Sequence, residues 1–286
     1  MTAPLSEQAP AKINLTLRVV GRRGDGYHAL ESLVAFADLA DTLTLAPGAQ
    51  TTLAITGPFA AACGPAGENL VLKAVNSLAA RVDGLRAGGF KLEKRIPVAG
   101  GIGGGSADAA AALRVLARLN NLARSDARLA AAAKSVGADV PVCLDPRARI
   151  MRGIGEELSA PITLPRCAAL LVNPGVPLAT RDVFTTFRGQ PSAQDELGAV
   201  PAERETLFAV LARHGNDLTD AAIARVPVIA DVLDALRSMS GARLARMSGS
   251  GPTCFALFDS AAEADAAAAK LKATHPHWWL HSGSIG

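Results

Sequence analysis

Pro97-Val98-Ala99-Gly100-Gly101-Ile102-Gly103-Gly104-Gly105-Ser106, running straight into Ala107–Leu119 (ADAAAALRVLARL), is the stretch from which the rest of the chain is read. Glycine loses more backbone entropy on folding than any other residue, so five of them in six positions are expected only where backbone must approach a ligand closely or take positive φ. The segment that follows is built of strong helix formers. A helix start carries unpaired N–H groups and the positive end of the helix dipole. Loop and helix together therefore form an anion cradle. Ser106 is expected to cap the helix and to offer its hydroxyl to a phosphate or a metal ion. Asp108 is expected in the first turn, where its charge suits the dipole. The plainer reading is a linker or tight turn, but linkers rarely sit between a strand and so regular a helix. No Lys-Ser/Thr follows the last glycine, and G-x-G-x-x-G does not fall at the helix entry, so neither a Walker A loop nor a dinucleotide fingerprint is present.

On the N-terminal side, Phe90 to Arg95 alternates in polarity and predicts a strand leading into the loop. Further upstream, Ala11 to Val20 (AKINLTLRVV) alternates as a strand. Gly21 to Gly26 is turn chemistry. Leu30 to Ala37, Asp41 to Leu45 and Thr51 to Thr56 predict further strands, and Leu70 to Val82 a helix. On the C-terminal side, Ser125 or Asp126 is placed to cap a helix ending near Ser135. Gly137-Ala-Asp139-Val-Pro141 predicts a loop leading into a short apolar strand. Turn signals between Pro161 and Arg166 suggest a boundary. Beyond it come strands at Ala168–Val172 and Thr253–Phe258, and helices at Glu203–Arg213, Val228–Arg237 and Ala261–Ala273. Strands and helices alternate irregularly, which predicts an α+β fold rather than a regular parallel array.

Composition narrows the function classes. The chain has 286 residues, 49% of them hydrophobic and 19% charged, enough for a large packed core. Its 29 Lys and Arg residues are scattered and the net charge is only +3. This is not the basic stripe of a nucleic-acid binder. Cys63, Cys143, Cys167 and Cys254 form no C-x-x-C pair and have no His at ligand spacing, so they read as buried thiols. Met1 to Pro10 lacks the pattern of a secretory signal. No run approaches the ~20 apolar residues of a spanning helix, the Ala-rich segment being broken by Asp108 and Arg114. A cytoplasmic protein with no membrane partner is expected.

Two further segments complete a pattern. Pro10-Ala-Lys12-Ile-Asn14-Leu opens the first strand, and Met247-Ser-Gly-Ser-Gly251-Pro-Thr253 is a second small-residue loop before a strand. With the central glycine loop, in this order, they resemble the GHMP kinase superfamily over nearly the whole chain. Gly24-Asp-Gly-Tyr27-His28, Gly137-Ala-Asp139-Val-Pro141 and Asn173-Pro-Gly175 narrow the resemblance to its branch acting on a cytidine diphosphate-linked methylerythritol. The resemblance implies the GHMP kinase fold: an N-terminal domain like ribosomal protein S5 domain 2, taken as residues 1–160, and a C-terminal ferredoxin-like domain, residues 161–286. It implies ATP-dependent phosphorylation of the substrate's 2-hydroxyl in the non-mevalonate route to isoprenoid precursors, with ATP as co-substrate and Mg2+, by a monomer or homodimer.

Site residues follow from the same resemblance, position by position. Asp139 would be the general base and Lys12 the cation that orients the hydroxyl and stabilises charge in transit. Pro97, Val98, Ala99, Gly100, Gly101, Ile102, Gly103, Gly104, Gly105, Ser106 and Ala107 would hold the ATP phosphates. Tyr27 and Phe184 would sandwich the cytosine, His28 would read its edge, and Asn14 and Thr180 would make polar contacts to the substrate. In isolation, Asp139 reads as a turn residue, Lys12 as a surface charge, Tyr27-His28 as a solvated turn and Phe184 as core. Ala107 stands where many relatives carry a second serine, and Asp145–Arg149 matches poorly, so the adenine contacts and the metal ligands stay unassigned. Other readings are a homoserine or mevalonate kinase, whose substrates carry no base to stack, and a non-catalytic ligand-binding module on the same fold. RNA binding would need a basic aromatic face that the sequence lacks.

Overall fold

The computed structural model describes residues 3–24, 26–190, 197, 198, 200 and 202–286. In chain order the elements are β1 (Leu5–Asn14), β2 (Arg18–Arg22), β3 (His28–Gly48), β4 (Thr52–Thr56), α1 (Leu70–Ala79), β5 (Ala87–Glu93), α2 (Gly104–Leu119), α3 (Ala127–Val136), α4 (Val140–Leu144), β6 (Arg149–Gly153), β7 (Glu157–Leu158), β8 (Cys167–Asn173), α5 (Thr180–Thr186), α6 (Arg204–Arg213), α7 (Thr219–Arg225), α8 (Val228–Arg237), β9 (Ala242–Met247), β10 (Cys254–Phe258), α9 (Ala261–Thr274) and β11 (Trp279–Ile285). The chain divides into two compact units that interleave in sequence. The first holds residues up to Lys12 with Leu39–Val98 and Gly103–Pro146, and the second Ile13–Asp38, Ala99–Ile102 and Arg147–Gly286.

In the first unit, β5 lies between β4, its parallel neighbour, and the second half of β3, which is antiparallel to it. From Leu39 to Leu45, buried residues alternate with half-exposed ones along β3, the signature of a strand covered on one face. Helices α1, α2, α3 and α4 pack on one another. Ala107 to Ala117 of α2 are buried without interruption, which explains the alanine run: a helix enclosed on all sides needs small side chains for its neighbours to approach. Asp126 caps α3, accepting a bond from the Arg128 amide at 2.9 Å.

In the second unit the first half of β3 begins an antiparallel sheet that continues through β11, β8, β10 and β9. Residues Glu31 to Ala37 are buried without alternation, so this half of the strand is covered on both faces. Leu170, Val172, Ala256 and Phe258 from the sheet join Ile229, Val232 and Leu236 of α8 and Ala264 and Leu271 of α9 in one core. Ser260 and Glu263 form a reciprocal capping box at the start of α9.

Four local expectations need correction. Leu30–Ala37 and Asp41–Leu45 are one continuous strand, because no glycine or proline separates them and both aspartates find partners. Asp38 accepts from Ser284, and Asp41 accepts from the amides of Arg95 and Ile96. The strand expected over Ala11–Val20 breaks at Leu15–Leu17, where Thr16 Oγ1 takes the Leu33 amide at 3.0 Å and the Leu17 amide turns to Gly215. The end of the expected Gly137–Pro141 loop and the apolar stretch after it form one turn of helix, Val140–Leu144, rather than a loop and a strand. Pro141 sits in its first turn, where its missing N–H is an orphan anyway. Finally, α2 begins at Gly104, three residues before the expected Ala107.

Candidate active site

Lys12 lies on β1 and is 4% exposed. Its Nζ is 2.7 Å from Asp139 Oδ2, and the aspartate side chain remains 37% exposed. Asp139 occupies the N-cap position of α4, yet its side chain makes no capping bond. The carboxylate is therefore held from behind by a buried ammonium and stays open to a ligand in front. An ammonium buried away from water needs such a partner.

The aliphatic stem of Lys12 runs against the entrance of α2. A Cβ on Gly103 would sit 3.0 Å from Lys12 Cβ. Gly103 has φ 66° and ψ 15°, the left-handed region in which glycine is at ease. This conformation makes Gly103 the N-cap, and it brings no side-chain acceptor. The first intrahelical bond runs from the Ala107 amide to Gly103 O at 2.9 Å. The amides of Gly104, Gly105 and Ser106 thus have no partner within the helix, and these three residues are half-buried or exposed. Three uncapped amides thus stand at the positive end of a 16-residue helix, the chemistry that suits an anion. Ser106 is not the cap: it lies inside the first turn. Asp108 lies beyond that turn and does not serve the dipole.

Asp108 belongs instead to a buried triad. Lys94 Nζ lies 2.6 Å from Asp108 Oδ2 and 2.5 Å from Asp41 Oδ2, and all three side chains are at most 3% exposed. A Cβ on Gly104 would lie 3.1 Å from that same Nζ, so the ammonium sits directly under the helix entrance. Burial pushes the Asp108 carboxyl well above the usual range, with the neighbouring Asp41 adding to the effect and Lys94 opposing it. Its Oδ1 has no hydrogen-bond partner. Nothing local in the sequence marks this triad; only the charged residue inside an alanine helix hints at it.

In the second unit the other end of the glycine loop packs backbone to backbone on the Met247–Thr253 loop. Gly101 has φ 73°, and a Cβ there would lie 2.9 Å from the Gly251 nitrogen. The Thr253 amide bonds Gly100 O at 3.1 Å and Ser248 Oγ bonds Gly101 O at 3.2 Å. Ser248 Oγ also accepts the Asn14 amide at 3.0 Å, and Asn216 Nδ2 bridges Met247 O and Gly249 O. Asn14 donates from Nδ2 to Ser32 Oγ at 2.7 Å, whereas its buried Oδ1 has no partner. A buried acceptor left open costs ~1–3 kcal/mol and is what a donor on a ligand would satisfy.

The same unit gathers the aromatic candidates. His28 stacks on Phe184 of α5 with ring centroids 5.3 Å apart and meets Phe187 edge-on at 5.7 Å. Tyr27, beside it in sequence, is 62% exposed. Asp25 of the same motif lies outside the described residues. Burial, aided by Arg22, holds the His28 imidazole below its ordinary value, so it is neutral at neutral pH. Thr180 opens α5, with its Oγ1 2.8 Å from Ser250 Oγ. Phe187 escapes a reading by motif; its only signal is its position three residues after Phe184, one helical turn on. Among the described residues no group of three His, Cys, Asp or Glu side chains is placed to hold a metal ion, and no helix is long and apolar enough to cross a membrane.

Comparison with known proteins extends the pattern. Residues 69–145 match the family model described as the GHMP kinases N terminal domain, and residues 198–277 match that of the GHMP kinases C terminal. A 4-diphosphocytidyl-2-C-methyl-D-erythritol kinase of Methylobacterium radiotolerans is 57% identical over 283 residues, covering 96% of this chain and 97% of the relative. One from Bradyrhizobium sp. strain BTAi1 is 55% identical over 293 residues, covering 99% and 97%. A crystal structure of 4-(cytidine 5'-diphospho)-2C-methyl-D-erythritol kinase superposes with a TM-score of 0.78 at 35% identity, covering 99% of both chains.

Proposed function

This chain belongs to the 4-diphosphocytidyl-2-C-methyl-D-erythritol kinases of the GHMP kinase family, and from that premise we propose that it transfers the terminal phosphoryl group of ATP to the 2-hydroxyl of 4-diphosphocytidyl-2-C-methyl-D-erythritol, a step of the non-mevalonate route to isoprenoid precursors. The observation that carries the mechanism is the Lys12–Asp139 pair packed against the entrance of α2. Phosphoryl transfer asks little covalent chemistry of a protein; it asks for alignment and for compensation of charge.

In this reading the uncapped amides of Gly104, Gly105 and Ser106 grip phosphate oxygens, with the loop from Pro97 through Ala107 shaping the cradle. Asp139 accepts the proton of the acceptor hydroxyl. Lys12 fixes that carboxylate and stabilises negative charge as it moves. Tyr27 and Phe184 stack on the cytosine, and neutral His28 reads its edge, donating from one ring nitrogen and accepting at the other. Asn14 and Thr180 contact the rest of the substrate. A magnesium ion brought in with the nucleotide would be held mainly by phosphate oxygens, since such ions need only one or two protein ligands, and the half-buried Ser106 beside the uncapped amides offers one hydroxyl for it. Ser106, in the first turn of α2, would be the candidate side-chain ligand, and the ion would supply neutralisation of phosphate charge.

Purified protein offered ATP with the cytidine substrate, mevalonate or homoserine is the direct test. Turnover of the cytidine substrate alone is expected. Equal turnover of mevalonate or homoserine, or full activity of Tyr27→Ala on the cytidine substrate, would overturn the assignment.

A further inference from the structure

Arg114 lies on α2, eight residues beyond Ser106, or about 12 Å along the helix axis. No motif includes it. Its side chain is 6% exposed, and every arm of the guanidinium is used. Nε donates to Glu7 Oε2 at 3.0 Å, Nη2 donates to the carbonyl of Gln8, and Nη1 donates to the carbonyl of Cys143 at 2.6 Å. Glu7 and Gln8 belong to β1, five and four residues before Lys12. Cys143 belongs to α4, whose N-cap is Asp139.

These bonds close a ring of elements. Lys12 joins β1 to the start of α4 through Asp139, and Arg114 joins β1 to the end of α4 through Cys143. A five-residue helix has no stability of its own, because its single turn fixes more torsions than it forms bonds. Its orientation is set by the helices on which Val140, Val142 and Cys143 are buried and, within that packing, by what holds its two ends. At the C-terminal end stands a carbonyl without an intrahelical partner, where a guanidinium satisfies both the hydrogen bond and the dipole. The three acceptors point at one planar fork, an arrangement that an ammonium cannot serve.

We propose that Arg114 is a positioning residue for phosphoryl transfer: by bridging the Gln8 and Cys143 carbonyls it locks α4 against β1 and so sets where the Asp139 carboxylate stands relative to Lys12. The proposal rests on the reading of Asp139 as the base. Its mark is a loss in kcat that passes through Asp139, with both substrates still bound normally. Misplacement of a reacting group by about 1 Å is enough to cost on the order of 100-fold in rate.

The test is a double-mutant cycle on the full-length protein: Arg114→Lys and Arg114→Met, each alone and combined with Asp139→Asn, with kcat expressed per bound equivalent of a fluorescent ATP analogue. Expected for Arg114→Lys are one analogue bound per chain, KM for ATP and for the cytidine substrate within about twofold of the parent, and kcat reduced about tenfold or more. In the Asp139→Asn background the same substitution should change kcat by less than about twofold. Arg118→Met, which removes the exposed partner of Glu7 and whose guanidinium bonds Ser6 and Glu7 of β1, should leave kcat unchanged. A kcat for Arg114→Lys near that of the parent, or the same fold loss with and without Asp139, would overturn the proposal. So would failure of both Arg114 variants to fold, which assigns the residue to stability. Parental kcat in Asp139→Asn alone would instead remove the reading of the base, and the proposal with it.

Discussion

Two glycines of the Gly100–Ser106 stretch, two residues apart, should respond to the same substitution in opposite directions. At Gly103 the backbone is left-handed, with φ 66° and ψ 15°. An alanine there meets the clash of Cβ with the following carbonyl, roughly 1–2 kcal/mol. Its Cβ would also stand 3.0 Å from Lys12 Cβ and 3.5 Å from Cε, so the lysine stem must shift by a few tenths of an ångström; crowding of that kind adds on the order of 1 kcal/mol. The stiffer unfolded chain returns about 0.4–1 kcal/mol. The net is a loss of about 1–2 kcal/mol, or a fall in melting temperature of about 2–3 °C for a chain of 286 residues. At Gly105 the backbone is already helical, and the nearest neighbour of a new Cβ would be the end of the flexible Leu70 side chain at 3.3 Å. Alanine there gains about 0.5–1 kcal/mol of helix propensity, so Gly105→Ala should melt at or slightly above the parent. Scanning calorimetry of the two variants beside the parent decides the matter, and steady-state kinetics of Gly103→Ala should show kcat reduced because the Lys12 stem is displaced. A Gly103→Ala protein as stable as the parent, or two variants shifted equally, would refute the assignment of backbone geometry at the helix entrance.

Removing the ammonium under that entrance should be far more damaging. Lys94→Met leaves Asp41 and Asp108 buried without their cation, and loss of one partner of a buried pair costs about 3–5 kcal/mol, measurable by denaturant unfolding. Phe184→Ala and Tyr27→Ala should each raise KM for the cytidine substrate about 5- to 150-fold, the equivalent of ~1–3 kcal/mol of stacking per base, with KM for ATP unchanged. Because burial and Arg22 hold the His28 imidazole below its ordinary value, the neutral ring persists as pH falls. KM for the cytidine substrate should therefore stay flat from pH 8 down through about 6.5, the usual imidazole value, and rise only below it; a rise already between pH 8 and 7 would contradict the assignment of His28.

How much of this was legible in the sequence varies with the range of the interaction. Helix formers from Ala107 onward announced α2, and Asp126 announced the start of α3, since both signals act within one turn of the chain. The same local logic misassigned the cap of α2, because Ser106 has the right chemistry for a cap. The deciding fact is the left-handed backbone at Gly103, which ends the loop three residues earlier. It reads the short apolar stretch that follows the Gly137–Pro141 loop as a strand, since so few residues carry too few periods to distinguish strand from helix. Strand β11 went unnoticed because most of its residues are half-exposed and show no alternation. Among the candidate site residues, type and motif spacing marked Lys12, Asp139, Tyr27, His28 and Phe184, but nothing in the order of residues says which of them touch.

The sequence alone determined the inventory: a glycine loop bound to a helix start, a lysine on the first strand, an aspartate before Val-Pro, and a scarce set of aromatics. Tertiary structure decided the pairings, because they join residues far apart in the chain. It set Lys12 against Asp139, Lys94 between Asp41 and Asp108, His28 against Phe184 rather than beside a free ring, and Arg114 across β1 and α4. Such contacts depend on which elements pack together, and packing is a property of whole faces of helices and sheets that no window of a few residues contains.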